Sequence, residues 1–409
     1  MNLLLTTPFY SPLVGGSSRL LVDIVEHLQQ HDHTVSVLTY TSGSLARDRA
    51  FDSRQTYPIY RVGGSNRGRV PIGSLSMLGN ATALATKNRY DLLLSGAAYS
   101  NAIVAHACAV ATRTPFAVYA HGEDVSCVAG SNKASLLLRR ALRAARLVMT
   151  NSDFTASCVR DLGVPGQRVR RCPPGIEPAP YLWSTSERIE GLRRRLGLEG
   201  KRVILTVARL CERKGHDMVV RSLKQVAMHA PNVHYLIVGL GDAAPLLALA
   251  NAEGVSDRVT IVPYVEDAEL PALFALAEAY VMVSRMDSVT HEVEGFGIVY
   301  LEAAASGRPA VGARAGGAVD AIEDGVTGLL VDPTQPGEIT AALLSLLLDR
   351  DRARAMGQAG RERVRRRFHR TDALNRIERL LERAAGSSSP AASSALRSSA
   401  ASESVDSSP

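Results

Sequence analysis

The strongest constraint on this chain is a pattern that runs once, stops and starts again. Short apolar runs, NLLLT (2–6), TVSVLT (34–39), DLLLS (91–95), PFAVY (115–119) and LVMT (147–150), alternate with segments of helical spacing such as SSRLLVDIVEHLQQH at 17–31. Continuous apolar strands separated by helices predict a parallel sheet covered on both faces. The stretch VPGQRVRRCPPGIEPAPYLWSTSERIEG at 164–191 is rich in Pro and Gly, lacks periodicity and reads as a linker. Beyond it come RVILTVAR (202–209), NVHYLIVG (232–239), RVTIVPYV (258–265), AYVMVS (279–284), PAVGA (309–313) and GLLVD (328–332), which predict a second parallel sheet. The expected fold is α/β, with two doubly wound Rossmann-like domains and a ligand site in the cleft at the carboxyl ends of their strands.

Two domains also suit 409 residues, a length too great for one compact core. The expected boundaries are 1–180 and 181–366, with a helix at about 367–385 packing back on the first domain. The Ser/Ala-rich, low-complexity segment 386–409 is expected to be disordered.

Composition excludes several classes. No apolar run approaches the roughly 18 residues of a membrane-crossing helix, and MNLLLTTPFYSP lacks the basic flank of a signal peptide and reads as a buried first strand. Five scattered cysteines (Cys108, Cys127, Cys158, Cys172, Cys211) without a Cys-x-x-Cys argue against a disulfide framework or a cysteine zinc site. A cytoplasmic chain is expected. The net charge of +7 comes almost wholly from arginine and points weakly to an anionic partner, or only to base composition.

Four places can carry chemistry. In PFYSPLVGGSSRLLVDIVEHL (8–28) a strand runs into Gly15-Gly16, and Ser17 and Ser18 open a helix. Paired glycines let backbone approach an anion, and a helix N-terminus offers free amides; an ordinary strand-to-helix turn has the same form. In VYAHGEDV (118–125), His121 follows a strand beside two carboxylates, suited to hydrogen bonding or to a solvated loop, and without the second histidine a metal site needs. In VARLCERKGHD (207–217), Arg209 and Lys214 flank a strand-to-helix turn, able to converge on a pyrophosphate or to remain surface charge. In HEVEGFGIVYLEAAASG (291–307), Glu294 precedes a loop with Phe296 and Gly297. Glu302 lies in the second turn of the helix that follows. The amides of Gly297, Ile298 and Val299 form a phosphate seat, so the spacing suits one ligand bearing a ribose, a pyrophosphate and a reactive head.

Other matches compete. There is no Gly-x-x-x-x-Gly-Lys-Ser/Thr of a P-loop ATPase. Gly239-x-Gly241-x-x-Ala244 fits a dinucleotide fingerprint, but lies mid-chain, and no Tyr is followed four residues later by Lys. This leaves a nucleotide-cofactor oxidoreductase or epimerase of the NAD type, or a non-catalytic two-domain binding protein, as the alternatives to a transferase. Asp349-x-Asp351 ends a helix-like run and reads as surface charge. The segment 136–148 stacks Arg139, Arg143 and Arg146 on one helical face, suited to anionic lipid or to plain packing on the sheet.

The four pieces in this order resemble family 4 of the retaining glycosyltransferases, which have the GT-B fold. The resemblance rests on Glu294-x7-Glu302 within EGFGIVYLE, on the continuation to residue 333, and on the Gly15-Gly16 loop and NSDFTASCVRDLGV (151–164). It implies that Arg209 and Lys214 hold the donor diphosphate and that Glu302 binds the ribose. Glu294, with the backbone of Phe296 and Gly297, contacts the donor sugar, Gly15-Gly16 closes over the phosphates, and His121 contacts the sugar near its reacting face. It further implies metal-independent transfer with retention, the acceptor hydroxyl attacking on the face the diphosphate leaves and a diphosphate oxygen taking its proton. Glu294 is not assigned as a nucleophile. The EVEGFGIVYLEAAASG form is similar to lipid mannosyltransferases that use GDP-mannose, with a UDP-hexose the other donor open. The implied acceptor is lipid-linked or a glycan, nucleic acid is not a partner, and the basic helix 133–146 offers peripheral contact with the inner membrane face.

Overall fold

A computed structural model describes residues 1–13, 15–63, 72–126, 132–182 and 184–386. The segment 387–409, expected to be disordered, lies outside the described residues. Among those residues, two parallel sheets account for all the named strands. The first comprises β1 (Asn2–Thr7), β2 (Thr34–Tyr40), β3 (Ile59–Val62), β4 (Leu92–Ser95), β5 (Phe116–Ala120), β6 (Leu147–Thr150) and β7 (Val169–Arg171), in the spatial order β3-β2-β1-β4-β5-β6-β7. The second comprises β8 (Arg202–Val207), β9 (Val233–Val238), β10 (Val259–Val262), β11 (Ala279–Met282), β12 (Ala310–Ala313) and β13 (Gly328–Val331), in the order β10-β9-β8-β11-β12-β13. Every pairing is parallel.

The continuous apolar runs follow from burial on both faces. In β1, Leu3 and Leu5 enter one hydrophobic cluster and Leu4 the other, as the period-2 pleat requires. In β8, Val203 and Leu205 pack opposite to Ile204 in the same way. A strand that feeds two cores is mostly apolar, with few polar residues such as Thr6, Ser36, Thr206 and His234, and eleven of the thirteen strands stand out as apolar runs. The other two, β3 (IYRV) and β7 (VRR), are the edges of the first sheet. There Tyr60, Arg170 and Arg171 face solvent, so the apolar signal is diluted. β7 also corrects the reading of 164–191 as a linker: that stretch contains this strand, the helical turn Ala179–Leu182 and part of helix Ser186–Arg195.

Strand order reverses beside β1 in the first sheet and beside β8 in the second, and loops leaving the carboxyl ends there diverge to open a crevice. All four candidate loops follow carboxyl ends, of β1, β5, β8 and β11. The chain crosses between domains near Ile176 and again near His369. The crossings are bonded to each other, with the Ile176 amide donating to Phe368 (2.9 Å) and the Arg370 amide donating to Ile176 (2.9 Å). Helix Arg370–Ala385 then lays Leu374, Ile377 and Leu381 against Leu3, Leu5 and Leu21 of the first domain.

Candidate active site

Glu294 forms the centre of the cleft. Its Oε2 accepts a short bond from Lys214 Nζ and another from Arg213 (Nη1, 3.0 Å). Arg213 is buried and also reaches across to Glu123 of the first domain (Nη2 to Oε2, 3.2 Å). Burial pushes the Glu294 carboxyl up, but Lys214 and Arg213, with Arg209 behind them, outweigh it and hold the group below its ordinary range. For Arg213, burial disfavours the charge, while Glu294 and Glu123 more than restore it. The site therefore carries a fixed carboxylate within a group of three cations.

The turn bearing those cations is set by its neighbours His216 and Gly215. His216 is buried; its Nε2–H donates to the Arg209 carbonyl (3.0 Å) and its Nδ1 faces the Tyr235 hydroxyl (3.2 Å). Burial pushes this imidazole down to about 4, so it stays neutral and fills both roles at once. Gly215 (φ 73°) lets the turn close directly on the Val283 carbonyl, where a Cβ would come within 2.2 Å. Arg209 itself remains exposed at the rim.

The domains also meet backbone to backbone. A Cβ on Gly295 would lie 1.6 Å from the His121 carbonyl oxygen, so only glycine lets the two backbone segments meet there. That carbonyl also accepts from Asn151 Nδ2 (2.7 Å). His121 is buried, its Nε2–H donating to the Gly96 carbonyl (2.9 Å), with Tyr119 packed edge-on at 4.8 Å. Asp124 accepts from the amides of Ala98 (2.6 Å), His121 (2.9 Å) and Gly122 (3.0 Å), tying together the loops after β4 and β5. The two carboxylates of VYAHGEDV are thus engaged in an ion pair and in loop closure.

Helix Ile298–Ala305 begins at Gly297 (φ 84°) with no side-chain cap, so the amides of Ile298 and Val299 at its N-terminus have no intrahelical acceptor. Phe296 is buried and packs edge-on against Phe368. Glu302 is only 9% exposed, and its Oε1 accepts from the Tyr181 hydroxyl (2.7 Å). Burial raises this carboxyl; Tyr181 and the charge of Arg19 offset it in part. From the facing domain, Gly15 caps helix Gly16–Gln30 through backbone alone, and a Cβ on Gly16 would sit 3.3 Å from Ile298 Cδ1. The structure therefore brings Gly15, Gly16, His121, Arg209, Lys214, Glu294, Phe296, Gly297, Ile298, Val299 and Glu302 to the two lips of one crevice.

Residues 14–179 match the family described as Glycosyltransferase Family 4, and residues 189–363 match Glycosyl transferases group 1. A GDP-mannose-dependent alpha-(1-6)-phosphatidylinositol monomannoside mannosyltransferase of Mycobacterium tuberculosis is 31% identical over 89% of this chain and 93% of its own. The chain is a glycosyltransferase of family 4. A monoacylated-substrate counterpart from Corynebacterium glutamicum is 27% identical over 88% of this chain and 92% of its own. A Mycolicibacterium smegmatis relative is 37% identical over 56% of this chain and 60% of its own. In fold the enzyme is similar to Anabaena HepE, solved with UDP and glucose (TM-score 0.80, 22% identity, 93% and 99% of the two chains). It is also similar to sucrose-phosphate synthase from Thermosynechococcus elongatus (TM-score 0.78, 20% identity, 95% and 100%). This is the GT-B architecture.

The competing fingerprint has a structural explanation in this glycosyltransferase. A Cβ on Gly239 would lie 1.8 Å from the Ala208 carbonyl, and Gly241 abuts Leu210 in an isolated bridge. Both glycines let the loops after β8 and β9 lie side by side. Sequence reasoning missed Arg213, Tyr181 and His216, and noted Asp124 only as one of the two carboxylates beside His121. Arg213 adjoins Lys214, yet nothing in one dimension says which arginine of the turn points inward. Tyr181 sat in the supposed linker.

Proposed function

We propose that this glycosyltransferase moves mannose from GDP-mannose to a hydroxyl of a lipid-linked acceptor, with retention at the anomeric carbon and without a catalytic metal. The observation that carries the reading is the Lys214–Glu294–Arg213 cluster at the crevice, flanked by the uncapped helix at Gly297. Donor and acceptor class follow the three named mannosyltransferase relatives, each described as GDP-mannose-dependent and acting on a phosphatidylinositol monomannoside.

Departure of the nucleoside diphosphate concentrates negative charge on its terminal phosphate. Lys214, Arg209 and the amides of Ile298 and Val299 offer fixed positive ends to that charge. Glu294 keeps Lys214 and Arg213 aimed into the cleft and presents its carboxylate to the sugar hydroxyls. Glu302 takes the ribose by giving up or sharing its bond to Tyr181. Gly15 and Gly16 approach the phosphates from the other lip, and the His121 ring, fixed by Gly96 and Tyr119, borders the sugar. The acceptor hydroxyl attacks on the face from which the diphosphate departs, and a diphosphate oxygen takes its proton.

Lipid access has its own support. Helix Asn132–Ala144 exposes Leu136 (67%) and Leu137 (53%) beside Arg139, Arg140 and Arg143, an amphipathic surface suited to an anionic interface. Arg146 does not belong to that face: it lies past the helix end and donates to the Ala384 carbonyl (2.9 Å). The Lys133 side chain lies outside the described residues. No helix of the described residues is long and apolar enough to cross a membrane.

The test is transfer from radiolabelled GDP-mannose or UDP-glucose to phosphatidylinositol mannoside, with product anomeric configuration read by NMR. GDP-mannose turnover with an α-linked product is expected. Turnover with UDP-glucose alone overturns the donor assignment, and thermal stabilisation by NAD but by neither GDP nor UDP overturns the transferase site.

A further inference from the structure

A second concentration of chemistry-bearing side chains lies away from the crevice, at the amino-terminal edge of the first sheet. His27 and His31 are one turn apart at the end of helix Gly16–Gln30, and His33 directly precedes β2. All three converge on Glu378 of helix Arg370–Ala385, which arrives from the far end of the sequence. His27 Nε2 (3.0 Å) and His31 Nδ1 (2.7 Å) face the same oxygen, Glu378 Oε2, while His33 Nε2 lies 3.0 Å from Oε1. His33 Nε2 is also 3.8 Å from Glu382 Oε1.

The donor set has the character of a metal site. The ligand atoms of His27, His31 and Glu378 all fall within 4.8 Å of one another. Two histidines at i and i+4 present their nitrogens on one helix face. A neutral imidazole nitrogen is a ligand that a borderline cation such as zinc takes. One side is open for entry, since the His31 side chain is 44% exposed while those of His27 and Glu378 are 9% and 13% exposed. Around a tetrahedral ion with bonds of about 2.0–2.1 Å, ligand atoms sit roughly 3.3–3.4 Å apart. The present separations of 2.7 and 3.0 Å to Glu378 need to open by only about half an ångström. A neutral ring that coordinates through one nitrogen carries its proton on the other, so no net proton is released. His33 is differently placed: its Nε2–H holds Oε1 and orients the carboxylate, as hydrogen-bonding partners behind metal ligands do.

We propose that His27, His31 and Glu378 bind one divalent cation of the zinc class, oriented by His33, and that the ion fixes the last helix on the first domain. That helix begins immediately after the second domain crossing at His369. The ion therefore anchors one end of the hinge without taking part in transfer.

The experiment uses the untagged full chain, stripped with EDTA and titrated with zinc chloride against a chromophoric chelator. One zinc per chain is expected, and cobalt(II) at the same site should give visible absorption of tetrahedral intensity. His31→Gln, at an exposed position, should weaken zinc binding by about 100-fold or more, and His33→Gln by about 10-fold, the range for residues that orient ligands. Zinc at 100 times its Kd should raise the Tm of the wild type by about 5 °C and leave that of His31→Gln in place. His229→Gln, an exposed histidine elsewhere, should behave as wild type. Stoichiometry well below one, equal binding by wild type and His31→Gln, or a wild-type Tm insensitive to zinc would show that the rings only hydrogen-bond Glu378, and the proposal would fall.

Discussion

Glu294 and Glu302 are eight residues apart, both largely withdrawn from water, and protonate in opposite directions. Burial pushes each carboxyl up; at Glu294 the cations Lys214 and Arg213 reverse the outcome, and at Glu302 a tyrosine hydroxyl and a distant arginine do not. The difference lies in what faces them rather than in depth. Glu294 looks at the turn after β8, which brings charge, whereas Glu302 looks at the helical turn Ala179–Leu182, which brings one phenol. One carboxylate is a permanent anion that organises cations. The other is a polar group held in reserve, whose single bond to Tyr181 can be exchanged for a ligand hydroxyl.

The largest effect should come from removing the charge that organises the others. Glu294→Gln leaves Lys214 and Arg213 in a buried site with only Glu123 and the more distant Glu292 to balance them. A loss of about 3 kcal/mol in urea-unfolding stability is expected, because an unpaired buried charge costs roughly 3–5 kcal/mol. Sugar transfer should fall by about 100-fold or more. If stability and transfer both stayed near wild type, the cluster would not organise the site. Lys214→Ala comes next: Glu294 keeps Arg213, so folding should change less, but the leaving diphosphate loses a cation and turnover should drop about 100-fold. A change confined to KM would instead make Lys214 a uniform binding residue.

The same two glutamates show how far sequence can be read. The two parallel sheets and the four loops were legible because strands covered on both faces are largely apolar and because a doubly wound sheet places its site at strand carboxyl ends. Glu294 and Glu302 were legible because Gly297 separates them across a helix start. Their partners were not. Arg213 and Lys214 are adjacent and alike in one dimension, and Tyr181 approaches Glu302 from a segment whose Pro and Gly content hides its helical turn. The histidine cluster shows the same limit: the i, i+4 pair His27 and His31 lies open in the sequence, but its carboxylate comes from residue 378. Edge strands β3 and β7 escaped because Tyr60, Arg170 and Arg171 face solvent and break the apolar run, whereas the edges β10 and β13 of the second sheet keep theirs.

Tyr181→Phe separates the two carboxylates further. It strips Glu302 of its bond and leaves Glu294 untouched, so a stability loss of about 1–3 kcal/mol is expected with little change in turnover. Glu302→Gln keeps a group able to accept from Tyr181. It should change stability by less than about 1 kcal/mol, while GDP affinity falls about 10-fold through the changed contact to the ribose. Calorimetric titration of GDP against both variants distinguishes a ribose contact from a purely structural pair: equal GDP affinity in wild type and Glu302→Gln would remove Glu302 from the donor site.

The smallest expected effect is the most direct comparison, because it reads the two protonation biases themselves. Glu294 has a folded-state value below the ordinary 4.5, so its contribution is fully present above that pH and is lost only as pH falls through the lower folded value. Glu302 has a folded-state value above 4.5, so the folded chain binds its proton more readily than the unfolded chain. Its ionisation therefore subtracts stability as pH rises through the window above 4.5, and the penalty is constant beyond the folded value. Urea midpoints measured from pH 8 to pH 4 should show the deficit of Glu294→Gln holding steady down to about 4.5 and narrowing only below it. Over the same range, Glu302→Gln should gain on wild type at high pH, and the gain should vanish as pH approaches the ordinary carboxylate range. If the two differences narrowed together as pH fell through the same window, the opposite biases assigned to these carboxylates would be wrong.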